Sequence, residues 1–320
     1  MAEIGIAFQT DKPPGRYGEL AAAAEAHGFD VVSVFADLLD QTPLPALLEM
    51  ARATSRVRLG AACLNPYTQH PYEIAGGLAA LDAASGGRAY LGLARGAWLE
   101  AIGIEQRRPL DHLRDTAAIV RALLSGDEHG YAGAAYRLAP GVRLRYPVSG
   151  RVPPLLIGAW GPRGVALAGE IADEVKVGGS ANPAVVPVIR AWAGRQIKIV
   201  LGAVTVVDRD GAAARRRART EVARYLAVVA DLDPVTALPD GLAVRLRDLV
   251  AAGRDEAAGA LIPDDVLDRF AFSGTPPHVV GLAQQVLEAG AARVDFGAPQ
   301  GLTAAEGVAL LGTAVLPRLR

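Results

Sequence analysis

Leu59-Gly60-Ala61-Ala62-Cys63-Leu64-Asn65-Pro66-Tyr67-Thr68-Gln69-His70-Pro71 is the stretch on which the fold turns. An apolar run with strand character stops at Asn65-Pro66. A helical pattern then takes over from Tyr72 to Ala84. A strand that ends in a polar, proline-marked loop before a helix is the βα unit on which α/β enzymes place their chemistry. An ordinary βα connection would look the same, so the rest of the chain has to decide.

Outward from this stretch the unit repeats. Tyr17, Leu20, Ala21 and Ala24 lie at helical spacing before a stop at Gly28, and Val31 to Phe35 follows as a β-branched run. Pro43 and Pro45 open a helix carrying Leu47, Leu48 and Ala51. Gly86-Gly87 precedes Ala89 to Leu93, Gly169 precedes Glu174 to Val177, and Gly290 precedes Arg293 to Phe296. Each repeat reads as a helix, a glycine stop and a continuously apolar strand. Such strands are covered on both faces, which means parallel strands with helices outside. Eight strands are predicted, at 3–8, 31–36, 57–63, 88–94, 154–158, 174–178, 197–207 and 292–296. A doubly wound open sheet shares this local grammar, and strand number separates it only weakly from a closed barrel.

The connections carry their own signals. Asp111 to Leu124 is an amphipathic helix with Leu113, Ala117, Val120 and Leu124 on one face. Residues 127–150, rich in Gly, Tyr and Pro, suggest an irregular or hairpin excursion. Residues 208–270 hold no strong strand and read as helical, with Arg215, Arg216, Arg217 and Arg219 on a solvated face balanced by Glu221. Thr275-Pro276 is a helix start, with Val279, Leu282, Ala283, Val286 and Leu287 as the buried stripe. A helix from Thr303 closes the chain.

Composition removes several functions. The 320 residues suit a (β/α)8 barrel with insertions, and 51% hydrophobic content supplies a large core. A net charge of −1 gives no electrostatic case for nucleic acid or an anionic membrane. Cys63 is the sole cysteine, so neither an internal disulfide nor a cysteine zinc site can form. The five histidines, His27, His70, His112, His129 and His278, show no metal-ligand spacing, and no metal is expected. His27 and His278 sit at helix ends, where compensating the dipole or facing solvent is the expected role. No targeting segment and no bilayer-spanning run is seen. The expectation is a cytoplasmic protein with a small-molecule substrate and a second copy of itself as partner. No nucleophile elbow, phosphate-binding Walker loop or dinucleotide fingerprint is present.

The loop after strand three, together with Leu81-Asp82-Ala83-Ala84-Ser85-Gly86-Gly87-Arg88 and Leu91-Gly92-Leu93-Ala94-Arg95-Gly96-Ala97-Trp98-Leu99, resembles the bacterial-luciferase-like superfamily. It is most similar to the branch that uses the deazaflavin coenzyme F420, which includes methylenetetrahydromethanopterin reductases and sugar-6-phosphate dehydrogenases. The resemblance spans nearly the whole chain and is weakest over 208–270. It implies a TIM barrel with insertions after strands 4 and 7, a single domain over 1–320 with 208–270 as a helical insertion. It also implies a hydride-transferring oxidoreductase. FMN with oxygen, as in a luciferase-like monooxygenase, is the alternative cofactor chemistry, and a non-catalytic barrel is a third reading.

In a barrel the chemistry belongs at the C-terminal ends of the strands. Those ends supply Gln9, Asp37, Cys63 with Asn65, Arg95-Gly96, Trp160-Gly161, Gly178-Gly179, Thr205 and Gly297. The resemblance places Asp37 beside the deazaflavin ring, although a turn cap would also suit it. It makes Ala62-Cys63 the pair that relatives join by a non-prolyl cis peptide under the ring. It assigns Gly161, Arg163 and Gly164 to the cofactor phosphate, as a helix start allows. Asn65, Arg95, Gly96 and Gly178 complete the expected cofactor contacts; Arg95 is equally readable as a surface cation, and Trp98 as a loop-packing residue. Gln9, Asp37 or a water would supply the proton of a reduction. Cys63 reads as a buried structural thiol. The sugar-phosphate dehydrogenases carry a histidine and a glutamate where this chain has Leu38 and Ala97. With both acid–base groups missing, sugar-phosphate oxidation is not expected. Reduction of a neutral C=N or C=C bond is.

Overall fold

In the computed structural model, which describes residues 2–320, β1 (Glu3–Phe8) sends Ile4, Ile6 and Phe8 to one face and Gly5 and Ala7 to the other. This period-two alternation recurs in β2 (Val31–Val34), β3 (Arg58–Ala61), β4 (Leu91–Ala94), β5 (Leu155–Gly158), β6 (Glu174–Gly178), β7 (Lys198–Val207) and β8 (Arg293–Gln300). One face meets the helices α1 (Arg16–His27), α2 (Pro43–Ala53), α3 (Pro71–Ser85), α4 (Pro109–Ser125), α5 (Pro162–Ile171) and α6 (Val185–Ala193) in the main apolar core. The other face looks into a barrel.

All eight strands are parallel, in the order β3-β2-β1-β8-β7-β6-β5-β4. The ring closes between β3 and β4. Leu59 N–H donates to the Arg88 carbonyl at 3.0 Å and Tyr90 N–H to Leu59 at 2.9 Å; Leu64 N–H donates to Gly92 and Ala94 N–H to Leu64, each at 2.9 Å. Between these two pairs lies Ala62–Cys63, whose peptide bond is cis. The open-sheet alternative is thereby excluded.

The inner face corrects the expectation of continuously apolar strands. Arg293, 1% exposed, donates from Nη1 to Glu174 Oε2 at 2.6 Å and from Nε to Asp295 Oδ1 at 2.9 Å. Lys176 Nζ donates to Asp295 Oδ2 at 2.7 Å. Arg58 spans Glu174 and Glu3 at 3.0 and 2.7 Å. Three cations and three carboxylates thus fill the lower barrel with no net charge. Glycine makes the room: a Cβ at Gly5 would lie 2.0 Å from Asp295 Oδ1, and one at Gly202 3.0 Å from Lys176 Cε. Above them Tyr90 Oη and Ser33 Oγ share a 2.7 Å hydrogen bond.

Several strands also run differently from expectation. β2, β3 and β4 are shorter than predicted because Phe35, Ala62 and Arg88 already belong to loops. β8 runs to Gln300 instead of 296, so Gly297 lies within the strand, where its Cβ position is 2.6 Å from the Ala203 carbonyl. Thr205 lies inside β7, fully buried, and donates to Ala203 at 3.2 Å. Neither reaches the mouth.

After β4 come α4 and a short antiparallel hairpin, Tyr131–Ala132 with Arg137–Leu138. After β7 come α7 (Gly211–Val229), α8 (Leu242–Ala251), α9 (Asp255–Gly259) and α10 (Asp264–Phe270). α7 buries Ala214, Ala218, Val222 and Leu226 at four-residue spacing in a second apolar cluster. Its arginines divide. Arg216 and Arg217 face solvent, whereas Arg215 and Arg219 pair with Asp264 on α10. A strand missing from the sequence reading, Ala271–Gly274, then pairs with the far half of β7. α11 (Pro276–Glu288) and α12 (Ala304–Leu310) start where Thr275 and Thr303 suggest. His278 stands at the wrong helix end to compensate a dipole and instead meets Asp268 at 3.3 Å.

Candidate functional site

The inward row of β1 continues upward from Ala7 to Gln9, and that of β2 from Ser33 through Phe35 to Asp37. Both side chains meet at the C-terminal mouth. Gln9 Nε2 donates to Asp37 Oδ2 at 2.6 Å. Asp37 opens onto a cleft of about 180 Å³ between the loops after β2 and β3, lined also by Asp40, Thr42, Leu64, Asn65 and Gln69. Asp37 is solvent-exposed as a residue, but the loops flanking its carboxyl partly desolvate it and push its pKa up. The Gln9 hydrogen bond works against this, and the charge of Asp40 adds to it.

Asn65 is largely spent on its own loop. Its Oδ1 accepts from Tyr67 N–H at 3.0 Å, Thr68 N–H at 2.9 Å and Thr68 Oγ1 at 3.1 Å, an Asx turn that shapes the Pro66–His70 segment. Only its Nδ2 is left for a ligand. Gly96, at φ +83°, packs against it; a Cβ there would lie 3.1 Å from Asn65 Cβ. The loop has a second support that sequence reasoning missed. Tyr67 stacks on His112 at 4.5 Å, His112 and His70 both meet the Tyr136 ring edge-on, and the Tyr136 hydroxyl donates to the Pro66 carbonyl. α4 and the hairpin thus brace the mouth, through contacts between residues too far apart in sequence to signal one another.

Cys63 sits directly below, with the Gly158 Cβ position 3.2 Å from its Sγ. Burial pushes its pKa up to about 11, with Lys176 pulling the other way, so the thiol is protonated at neutral pH and no nucleophile.

Across the mouth, Trp160 Nε1 donates to the Gly178 carbonyl at 2.8 Å, joining the ends of β5 and β6. α5 begins at Pro162 behind an extended Gly161, and neither Arg163 nor Gly164 donates its backbone N–H within the chain. A Cβ added at Gly161 or Gly178 would meet nothing within 4 Å. Arg163 and Arg95 are exposed and pair with no acid among the described residues. Open glycine backbone, a free helix start and unpaired guanidinium groups on adjacent strand ends suit a phosphate-bearing ligand. Leu38 is half-buried beside Asp37, and Ala97 is exposed on the facing loop; neither can move a proton.

No group of metal-ligating residues occurs among the described residues. A larger groove of about 340 Å³ lies in residues 230–244 and brings together only Asp231 and Asp240 as charged groups. The insertion does touch the mouth: Asn182 Nδ2 donates to Thr236 Oγ1 at 3.0 Å, and Ala181 N–H to Arg269 at 2.8 Å.

Comparison with known proteins agrees with this architecture. The family model described as luciferase-like monooxygenase matches residues 2–294. A 5,10-methylenetetrahydromethanopterin reductase of Archaeoglobus fulgidus is 30% identical, over 99% of this chain and 100% of its own. That of Methanolobus tindarius is 28% identical, over 98% and 99%. The structure of the coenzyme F420-dependent tetrahydromethanopterin reductase of Methanopyrus kandleri superposes with a TM-score of 0.88 at 25% identity, covering 100% of this chain and 99% of that one.

Proposed function

The chain belongs to the luciferase-like monooxygenase family, and from that membership we propose that it works as a coenzyme F420-dependent reductase. It is an oxidoreductase whose substrate is a small molecule with a C=N or C=C bond. The observation that carries this reading is end-to-end likeness to 5,10-methylenetetrahydromethanopterin reductases in sequence and to a coenzyme F420-dependent tetrahydromethanopterin reductase in structure.

Bound reduced F420 supplies a hydride from C5 of its deazaflavin. In this proposal Asp37 and the Ala62–Cys63 turn border the ring, with Asn65 and Gly96 beside them. Arg163, Gly164 and Gly161 hold the phosphate, and Arg95 and Gly178 complete the rim. Gln9 orients the Asp37 carboxyl, and Asp37 carries the proton that accompanies reduction. Cys63 stays a neutral thiol in the floor. Residues 1–320 act as one domain in which 208–270 is an insertion. A homodimer in the cytoplasm belongs to the same proposal. Support for that compartment is the lone Cys63 and the lack of any helix, among the described residues, long and apolar enough to cross a membrane.

Leu38 and Ala97 stand where the sugar-phosphate dehydrogenases carry their histidine and glutamate. An alcohol here has only the Asp37 carboxyl to take its proton, a group held toward its protonated form, and an apolar wall beside two carboxyls disfavours a charged phosphosugar. Glucose 6-phosphate should therefore give no reduction of F420. Reduced F420 should be consumed with a cyclic imine or activated alkene, followed as the return of the oxidised cofactor's absorbance. Glucose 6-phosphate turnover clearly above a no-enzyme control would refute this direction.

A further inference from the structure

The side-chain amide of Gln9 has two hydrogens, and both are given to carboxylates of one loop. Nε2 lies 2.6 Å from Asp37 Oδ2 and 2.7 Å from Asp40 Oδ2. One nitrogen thus holds two acids side by side. The loop carrying them is tied down: Gln41 N–H donates to the Thr10 carbonyl at 3.2 Å, and Gln41 Nε2 to the Lys12 carbonyl at 2.8 Å. Asp37 and Asp40 are the charged members of the cleft; its remaining walls, including Thr42, Leu64, Asn65 and Gln69, are uncharged. From the loop after β1, Lys12 Nζ bonds the Gln9 carbonyl and pairs with Asp11 at 2.6 Å, so its charge is met locally. Neither Asp37 nor Asp40 pairs with a cation among the described residues. Two like charges on one amide, with no counter-ion, make ionisation of Asp37 less favourable.

We propose that Asp40 is a positioning residue for the reaction, holding with Gln9 a carboxyl pair from which Asp37 delivers the proton of reduction. This rests on the reductase reading for its chemistry. One end of the substrate double bond gains the hydride of reduced F420. The π pair moves to the other end and takes the proton from the Asp37 carboxyl. The cofactor is oxidised by two electrons, the substrate is reduced by two, and Asp37 is left a carboxylate that regains its proton from water in the open cleft. In this proposal Asp40 acts through Gln9 and Asp37 and not on the reacting atoms. Its negative charge makes the ionised form of Asp37 less favourable, in the same sense as the burial that already raises that carboxyl.

The test is a pH titration of the Asp37 carboxyl carbon by 13C NMR in the full-length protein without cofactor, assigned with Asp37→Asn. Asp40→Asn keeps an acceptor for Gln9 and removes the charge; Asp40→Glu restores it. The Asp37 midpoint should fall by about half to one pH unit in Asp40→Asn and return in Asp40→Glu. In single turnovers of reduced F420 with 2-cyclohexenone, whose charge does not vary with pH, the alkaline limb of the rate profile should move down by the same amount. An unchanged midpoint overturns the role of Asp40. A shifted midpoint with an unshifted rate profile overturns Asp37 as the donor. A shifted midpoint with no F420 turnover on any substrate supports the carboxyl pair and counts against the reductase reading alone.

Discussion

Asp295→Ala is expected to cost the folded protein about 3–5 kcal/mol, read as a lowered urea midpoint at unchanged slope. Asp295 is 1% exposed and accepts from Lys176 Nζ at 2.7 Å and Arg293 Nε at 2.9 Å. Its loss leaves both cations buried with too little negative charge nearby. Replacing Lys176 and Asp295 together by Met and Leu should cost much less than the single change, because the desolvation penalty leaves with the pair. The pH dependence follows. Burial opposes ionisation of Asp295, yet Arg293 and Lys176 overcome it and hold the carboxyl below its ordinary value of 3.8. A depressed carboxyl stabilises fully above its unfolded value, and that contribution is lost as pH falls through the lower folded value. A single mutant within about 1 kcal/mol of the parent would show that the barrel interior admits water and screens the network.

Arg163→Glu should weaken F420 binding about 10- to 100-fold, or ~1.4–2.7 kcal/mol. The change places a carboxylate at the start of α5, where the free N–H groups of Arg163 and Gly164 and the helix dipole favour an anionic ligand. A truncated deazaflavin without the phosphate should bind the variant as it binds the parent. Equal losses for both ligands would mean that the 161–164 turn is a scaffold and no phosphate cradle.

The barrel was legible because its outward rows are apolar and its helices start and stop on proline and glycine, as at Gly28 and Thr275-Pro276. Its interior was not. Glu174-Val175-Lys176-Val177 reads as a strand by its valines, and nothing local says that Lys176 and Glu174 point into the barrel instead of at solvent. Only the pairing of β6 with β7 and β7 with β8 brings Lys176 to Asp295, 119 residues away. The strand Ala271–Gly274 escaped notice because four residues behind a helix carry no periodicity. At the mouth, Asp37 and Gln9 were readable as strand ends. Asp40 was not, since it looks like one more turn residue until Gln9, 31 positions earlier, reaches it. Asn65 was readable as a loop residue after β3, but not that its side-chain oxygen would be spent on that loop.

Fluorescence titration of the purified protein with oxidised F420 and, separately, with FMN tests the cofactor assignment most directly. F420 is expected to bind at least ten times more tightly, a difference of ~1.4 kcal/mol or more. Equal affinities, or tighter binding of FMN, would contradict it and turn the chain into a flavin-dependent member of the family.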